Sequence, residues 1–467
     1  MGTKNQASSD LVSDPKKKRR VGFGKSAQLD PGVEANDCIK IYLVSRKEEV
    51  DSPDSCCIDP IDLNKFFEDD GKIYGYKGLK ITVWLSSISF HAYADIVFES
   101  TSDGGKGITD LKSALKNMFA ENLVEKKEEF LNTFSSERLY IKSVISSGVA
   151  LEQPTANGRS SDSSKNSKGE ASDFEVFKVA GEPVGHLYSR LVPLVLLLID
   201  GSNPIDINDP RWEIYMVVRK TADLQEDIGI NMIGFAAVYR FHRYPDSQRL
   251  RLGQILVLPP YQGKGYGGSL LKVLNNVAVS EDVYDLTVEE PEDSLQHVRT
   301  KIDLQRLLVF SPIQNALSAV VSRIKSENPS KRSEPCQYGP PRSAVEDVRK
   351  SLKINKRQFL QCWEILLYLG LDPIDKYMES YRAIVTARIK TDIIGKDSEV
   401  VGKRIIDVPT EFDQETSFAM FKSQNGNVTG SESDGAKSNQ EESLRQLVDE
   451  RMKEIKLIAE KVSMSTR

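Results

Sequence analysis

The sequence predicts an α+β fold: a central mixed β-sheet core, with an α+β domain before it and a small helical domain after it. Three observations predict this. At 467 residues the chain exceeds what one hydrophobic core usually organises. Between residues 212 and 288, apolar and β-branched runs are broken by turn chemistry, and one of them leads through glycines into an apolar pattern of 3–4 spacing. Polar stretches of low complexity separate the patterned regions.

Composition bounds the classes. Hydrophobic residues make up 39% and charged residues 28%, as in ordinary soluble domains. The formal net charge of -5 excludes nucleic-acid binding driven by overall charge, so no direct nucleic-acid contact is expected. Residues 1–30 carry seven Lys/Arg against three Asp, leaving about -9 on the rest. An acidic body suits a basic partner and also serves plain solubility, and charge alone leaves both readings open. Five cysteines without a CxxC pair, and four scattered histidines, give neither a metal template nor a disulfide framework. That usage fits a reducing intracellular compartment. No apolar signal region opens the chain, and the run Leu191 to Ile199 is too short to cross a bilayer, so no membrane association is expected.

Residues 1–36 read as a disordered arm, polar and without periodicity. Within it Lys16, Lys17, Lys18, Arg19 and Arg20, flanked by Pro15 and Val21, read as a nuclear import signal for an importin groove; a solvated charge run is the alternative. Residues 37–151 form the N-terminal α+β domain, with strands over Ile39–Leu43 and Leu79–Trp84 and a helix over Leu111–Met118. Residues 152–173 are a flexible linker of Ser, Gly, Asn and charged residues. Residues 174–326 form the core. Val184–Ile199 is a buried helix that Pro193 should kink. Trp212–Val218, Ile230–Phe241 and Leu250–Leu258 are strands, with turn chemistry at Tyr244-Pro245-Asp246. The unbroken apolar run Ile255–Leu258 predicts a central strand covered on both faces. A helix over Gly267–Val279, a strand over Tyr284–Val288 and a helix over Ser294–Leu308 come next. Residues 327–342 are a polar linker, and 343–395 a helical C-terminal domain with Leu360, Trp363, Ile365, Leu366 and Leu367 as its core. Residues 396–443 read as mostly disordered. Residues 444–463 read as an amphipathic helix on the spacing of Leu444, Val448, Ile455, Ile458 and Val462, with Arg451 interrupting the stripe. Packing on the body and docking to a partner both remain open for it.

The segment that carries chemistry runs from Gln254 to Gly268: a strand, the spacer Pro259-Pro260-Tyr261-Gln262 before the first glycine, then Gly263-Lys264-Gly265-Tyr266-Gly267-Gly268 opening a helix. Glycines let backbone approach an anion, and unpaired N–H groups at a helix start point outwards with the helix dipole behind them. The loop is expected to hold a pyrophosphate; a Gly-rich turn without ligand is the bland alternative. Gly263, Gly265 and Gly268 also satisfy GxGxxG, with Glu289 downstream as a ribose-binding acid would be. Against a dinucleotide fold, a spacer separates strand from glycines and several strands precede the loop. No GxxxxGK[ST] is present.

Gln262-x-x-Gly265-x-Gly267 after a strand resembles the acetyl-CoA loop of the GNAT superfamily of N-acetyltransferases. With Phe67 to Ile81, Arg211-Trp212, Tyr244-Pro245-Asp246, Asp285 to Pro291 and Lys353 to Lys356, the chain resembles the type B histone acetyltransferases over roughly residues 38 to 390. The resemblance implies a GNAT core and acetyl transfer from acetyl-CoA to tail lysines of newly made histone 4, with no metal. It implies main-chain coenzyme contacts from Ile255, Leu256 and Val257, and coenzyme binding by Gln262, Gly263, Lys264, Gly265, Tyr266, Gly267 and Gly268. A lysine ammonium must lose a proton before it attacks a thioester. The resemblance assigns Glu289 as base, with Glu290 as runner-up. It assigns tail contacts to Asp69, Asp70 and Gly71 and to Tyr239, Arg240 and Phe241, although Arg240 is awkward for a basic ligand. Arg219 stands where relatives can carry a carboxylate, so that second candidate base is absent. A WD-repeat histone-binding chaperone, and residence in nucleus and cytoplasm, are further implications. A non-catalytic acidic histone carrier is the alternative; it would be marked by loss of the glycines or of Glu289, and neither is lost.

Overall fold

A computed structural model describes residues 30–67, 70–151, 174–222, 228–326, 338–394 and 434–466. The basic cluster Lys16 to Arg20, the linker 152–173, the segments 327–337 and 395–433, and Asp69 lie outside the described residues. The described residues fall into two compact units, divided between Asn132 and Thr133, with Ser87–Ser89 belonging to the second.

In the first unit, a five-stranded sheet is built from β1 (Ile39–Val44), β2 (Cys56–Ile58), β3 (Lys80–Ser86), β4 (Ala92–Val97) and β5 (Leu123–Val124), in the order β2-β1-β3-β4-β5. Alternation along β1 becomes burial: Ile39, Ile41 and Leu43 are inside and Lys40 outside. The helix α1 (Leu111–Phe119) begins where Asp110 accepts from the Lys112 and Ser113 N–H groups at 3.1 and 3.2 Å, a cap worth about 1 kcal/mol. Its buried face is Leu111, Ala114, Leu115 and Met118.

The helices α2 (Lys127–Ser136) and α3 (Tyr140–Ser146), neither expected from the sequence, precede the second unit's sheet; α2 carries the division. That sheet has six strands, β6 (Val149–Leu151), β7 (Phe174–Ala180), β8 (Trp212–Ala222), β9 (Ile228–Arg243), β10 (Ser247–Val257) and β11 (Leu286–Val288), in sequence order across the sheet. All neighbours are antiparallel except β10 and β11, which are parallel. The helix α4 (Glu182–Leu198) runs continuously through Pro193. The helix α5 (Tyr266–Ser280) covers the face presenting Tyr215, Val217, Ala236, Val238, Leu250 and Leu252. The intervening residues Ile214, Met216, Phe235 and Ala237 are equally buried and point to the other face. So β8 and β9 are the strands covered on both faces. This corrects the expectation for β10: it lies next to the sheet edge, and its burial alternates along its length. Its apolar run reflects a buried face, with Gln254 and Leu256, alternating with Ile255 and Val257 on a face only partly covered, rather than a central position.

The remaining helices are α6 (Asp293–Leu308), α7 (Ser311–Ser326), α8 (Arg342–Leu352), α9 (Lys356–Gly370), α10 (Asp375–Ile394) and α11 (Asp434–Thr466). They share one core that includes Leu304, Val320, Val348, Trp363, Tyr381 and Ile455. Of the core residues expected in α9, Leu360 is 40% exposed. The buried face is Phe359, Cys362, Trp363 and Leu366, an i, i+3, i+4, i+7 set that leaves Leu360 off the stripe. The terminal helix starts at Asp434, within the stretch expected to be disordered, and packs on its own body through Val448, Met452, Ile455, Ile458 and Val462. Arg451 does not break that seam. It donates to the Glu364 carboxylate at 2.9 and 3.0 Å and to Glu454 at 2.7 Å, so its charge is paired where it enters the core. Among the described residues no single helix is long and apolar enough to cross a membrane.

Candidate active site

The site is built from the C-terminal end of β10 onwards. The spacer becomes a single turn of 3-10 helix, Pro259–Tyr261, and α5 then starts after Gly265. Gly263 and Gly265 have φ of 74° and 88°, the left-handed region that costs other residues about 1–2 kcal/mol. A Cβ at either would meet nothing within 4 Å, so open space borders the loop there. No side chain caps α5, and its first bond runs from the Ser269 N–H to the Gly265 carbonyl at 3.0 Å. The N–H groups of Tyr266, Gly267 and Gly268 therefore precede the helical ladder, at the positive end of the helix dipole. Gly268 also serves packing. A Cβ there would make ordinary contact with Val298 of α6 at 3.5 Å, so Gly268 faces α6 at normal packing distance.

The free edge of β10 continues the cradle. Pairing with β11 spans only Leu250 to Leu252 and closes with the Glu289 N–H bonded to the Leu252 carbonyl at 2.9 Å. Beyond that point no strand covers β10 on this side among the described residues. The bond from Leu258 N–H to the Ile233 carbonyl (2.9 Å) fixes the phase of the β9–β10 ladder. Leu256 thus spends its backbone groups on β9, while those of Ile255 and Val257 point to the open edge. The Val257 carbonyl already accepts from the Gln262 side-chain amide at 2.9 Å, which ties the loop to the strand. Buried Gln254 anchors the same strand inwards: it accepts from the Tyr188 hydroxyl and donates to Ser202 and the Asn203 carbonyl, each at 2.8 Å.

Glu289 stands where β10 and β11 part. Its side chain is 52% exposed, and Arg251 approaches its carboxylate at 3.9 Å. A Cβ on Gly253 would lie 3.6 Å from the Glu289 carboxylate and 3.2 Å from the Trp212 ring, so indole and carboxylate both flank Gly253, and its bare backbone lets the indole lie close. From Trp212 an aromatic run extends along one sheet face: Trp212 to Tyr239 at 5.0 Å between centroids, then Tyr239 to Phe241 at 4.5 Å, with the Arg251 guanidinium 4.4 Å from the Phe241 ring. The Tyr239 hydroxyl donates to Asp209 at 2.8 Å. Asp209 also receives the Arg211 side chain, whose hydrogen bonds hold its carboxyl well below the usual range. Burial, and then that anionic partner, push the Tyr239 hydroxyl up. Glu290 is also exposed and sits in the left-handed region at φ 33°.

Other expected site residues have partners within their own unit. Arg240 points to the opposite face from Tyr239 and Phe241, where it bonds Glu213 at 2.6 Å and Glu281 at 2.5 Å, and Lys178 joins the same carboxylates. Burial opposes its charge, but those hydrogen bonds outweigh burial and raise its pKa. Its charge is answered within the fold, which resolves the awkwardness of an arginine beside a basic ligand. In the first unit Asp70 accepts from the Tyr74 hydroxyl at 2.5 Å and lies 3.7 Å from Lys106; the tyrosine, then the lysine, lower its carboxyl pKa. Gly71 has φ 75°, and a Cβ there would strike Asn64 at 2.6 Å, so glycine is required by the turn itself. Arg219, at the far end of β8 from Trp212, lies on the α5 side.

Comparison with known proteins bears on this geometry. Residues 31–200 match the family model "Histone acetyl transferase HAT1 N-terminus" and residues 204–299 match "Acetyltransferase (GNAT) family". The chain is 54% identical to the histone acetyltransferase type B catalytic subunit of Arabidopsis thaliana, covering 100% of this chain and 99% of that protein. The chain belongs to the histone acetyltransferase type B catalytic subunit family. The subunit of Zea mays is 48% identical over 96% of this chain and 94% of its own length, and one from Dictyostelium discoideum 26% identical over 78% and 73%. The type B acetyltransferase is thus an enzyme of the GNAT class, a family that uses acetyl-CoA as donor. Among the described residues no group of three or more His, Cys, Asp or Glu is gathered as a metal site.

Trp212, Asp209, Arg251 and Gly253 were not singled out from the sequence as site residues. Trp212 meets Tyr239 only because the β8–β9 register places them opposite. Gly253 matters because the register shifts beside it, between Ala237 and Val238 of the facing strand, leaving it unpaired. Neither register nor bulge is written in local sequence; an isolated glycine inside a strand pattern was the one available signal.

Proposed function

We propose that this type B acetyltransferase transfers acetyl from acetyl-CoA to the ε-amine of lysines in the N-terminal tail of free, newly synthesised histone 4, by direct attack of a lysine that Glu289 deprotonates. The observation that carries the reading is the position of Glu289: at the fork of β10 and β11, beside Trp212, with the free backbone of Ile255 and Val257 next along the strand.

The residues fit the donor. Gly263 and Gly265 give a pyrophosphate room to approach, the N–H groups of Tyr266, Gly267 and Gly268 supply its hydrogen bonds, and Lys264 adds charge. The open edge of β10 offers Ile255 and Val257 backbone groups to an amide-bearing arm, as a strand would. When bound, acetyl-CoA supplies an activated thioester acyl group. Glu289 accepts the proton of the incoming ammonium, with Glu290 as runner-up. An N–H on the same strand edge polarises the acyl carbonyl as charge builds on its oxygen. The aromatic run Trp212, Tyr239 and Phe241 covers the aliphatic stem of the lysine, and the half-exposed Glu289 carboxylate supplies the negative charge nearest the attacking amine. Asp70 and Gly71 of the acidic turn are further tail contacts in this reading.

The reading extends to a WD-repeat histone-binding chaperone as partner, to importin recognition of Lys16 to Arg20, and to residence in both nucleus and cytoplasm. It is tested by mass spectrometry of a core-histone mixture after incubation with the full chain and acetyl-CoA. Acetylation confined to lysines of the histone 4 tail supports it, and modification of other histones at equal rate would overturn the histone 4 preference.

A further inference from the structure

We infer that Arg219 is a coenzyme-binding residue, which joins Lys264 on the ring of Tyr261 to form a side-chain seat for phosphate beside the backbone cradle. The inference rests on the reading of residues 262–268 as the coenzyme loop and adds to it a residue from a different part of the sheet.

The geometry is set by β8. Arg219 pairs with Phe174 across β7, and Phe174 packs edge-on against Tyr266 of α5 at 5.3 Å. Side chains opposite one another in antiparallel strands share a face, so Arg219 projects to the α5 side, the side of the loop. Its guanidinium lies 5.6 Å from the Tyr261 ring centroid, and the Lys264 ammonium lies 5.9 Å from the same centroid. One aromatic ring therefore gathers two cations, one from β8 and one from the loop. Arg219 is half-buried, yet among the described residues neither it nor Lys264 has a carboxylate partner, whereas neighbouring Lys220 is paired with Glu175 at 2.6 Å.

Two like charges drawn to one ring at the entrance of a helix, on a chain of net charge -5, form a local positive field that suits a polyanion. A phosphate-bearing coenzyme is such a ligand. Backbone amides can hold one pyrophosphate through hydrogen bonds but bring no full charge, and a planar guanidinium adds bidentate geometry as well as charge.

The test is isothermal titration of the full chain with CoA and with dephospho-CoA, which lacks the 3′-phosphate, at low and moderate salt, using the wild type, R219Q, R219K and K264Q. Thermal unfolding of each variant guards against misfolding. R219Q is expected to weaken CoA binding about tenfold and to flatten its salt dependence, with R219K recovering part of the loss. A loss confined to CoA assigns the 3′-phosphate as the partner, and an equal loss for both ligands assigns the pyrophosphate; either supports the seat. A folded R219Q that binds CoA within twofold of wild type, with the same salt dependence, overturns it. Wild-type protein that binds neither ligand would instead overturn the coenzyme loop itself.

Discussion

Replacing Gly265 by alanine separates two costs that the structure assigns to different causes. Gly265 precedes α5 with φ 88° and ψ 1°, and an added Cβ meets nothing within 4 Å. The folded state therefore suffers no clash and bears only the backbone penalty of a left-handed residue, about 1–2 kcal/mol. Binding suffers differently, because the Cβ enters the open space that the loop borders. If it keeps a phosphate from two amide donors, each charge-assisted bond is worth about 1.5–3 kcal/mol, so affinity falls by about 3–6 kcal/mol, or roughly a hundredfold or more. Gly181 is the control outside the loop: φ 73°, nothing within 4 Å of its Cβ and a place before α4, but with ψ -148°, a region less open to other residues than that of Gly265. Gly181→Ala should lose at least as much stability with unchanged affinity. Thermal unfolding and isothermal titration with acetyl-CoA read the two costs. If Gly265→Ala loses stability as Gly181→Ala does yet binds acetyl-CoA within threefold of wild type, the loop does not hold the coenzyme.

Two further predictions concern other layers. Trp212→Ala removes the ring over Gly253 beside Glu289 and should raise KM for a histone 4 tail peptide about tenfold or more, while acetyl-CoA affinity stays within twofold; titration and steady-state rates check both halves. Ile458→Ala empties a fully buried position under the terminal helix and should cost about 2–5 kcal/mol by urea unfolding, whereas Leu457→Ala, at 43% exposure, should cost less than about 1 kcal/mol; equal losses would mean that α11 does not dock as described.

Much of the second unit was legible because its signals are local. The strands from Trp212 to Val257 announce themselves by apolar and β-branched content, and the helix after Gly265 by glycine followed by Leu270, Leu271 and Leu274. The neighbourhood of Glu289 was only half legible. Its strand end could be read, but its companions come from β8, β9 and a register shift at Gly253, which are pairings between distant segments. Arg240 shows the same limit from the other side. Adjacent to Tyr239 and Phe241 in sequence, it points away from them in the strand and is consumed by Glu213 and Glu281. The terminal helix had a readable stripe, but the sequence left its target open; Glu364, which pairs with Arg451, sits 87 residues earlier on α9. Short helices such as α3 carry too few apolar turns to stand out against loop sequence.

The most direct measurement is single-turnover acetylation of a histone 4 tail peptide by Glu289→Gln, followed by mass spectrometry from pH 6 to 9, with acetyl-CoA affinity measured on the same protein. The glutamine keeps the shape of the side chain but cannot accept the proton. The rate at neutral pH should fall by about a hundredfold to ten-thousandfold and recover partly as pH rises and the lysine loses its proton unaided, while coenzyme affinity stays unchanged. A variant that acetylates the peptide within threefold of wild type across that range would show that lysine activation lies elsewhere.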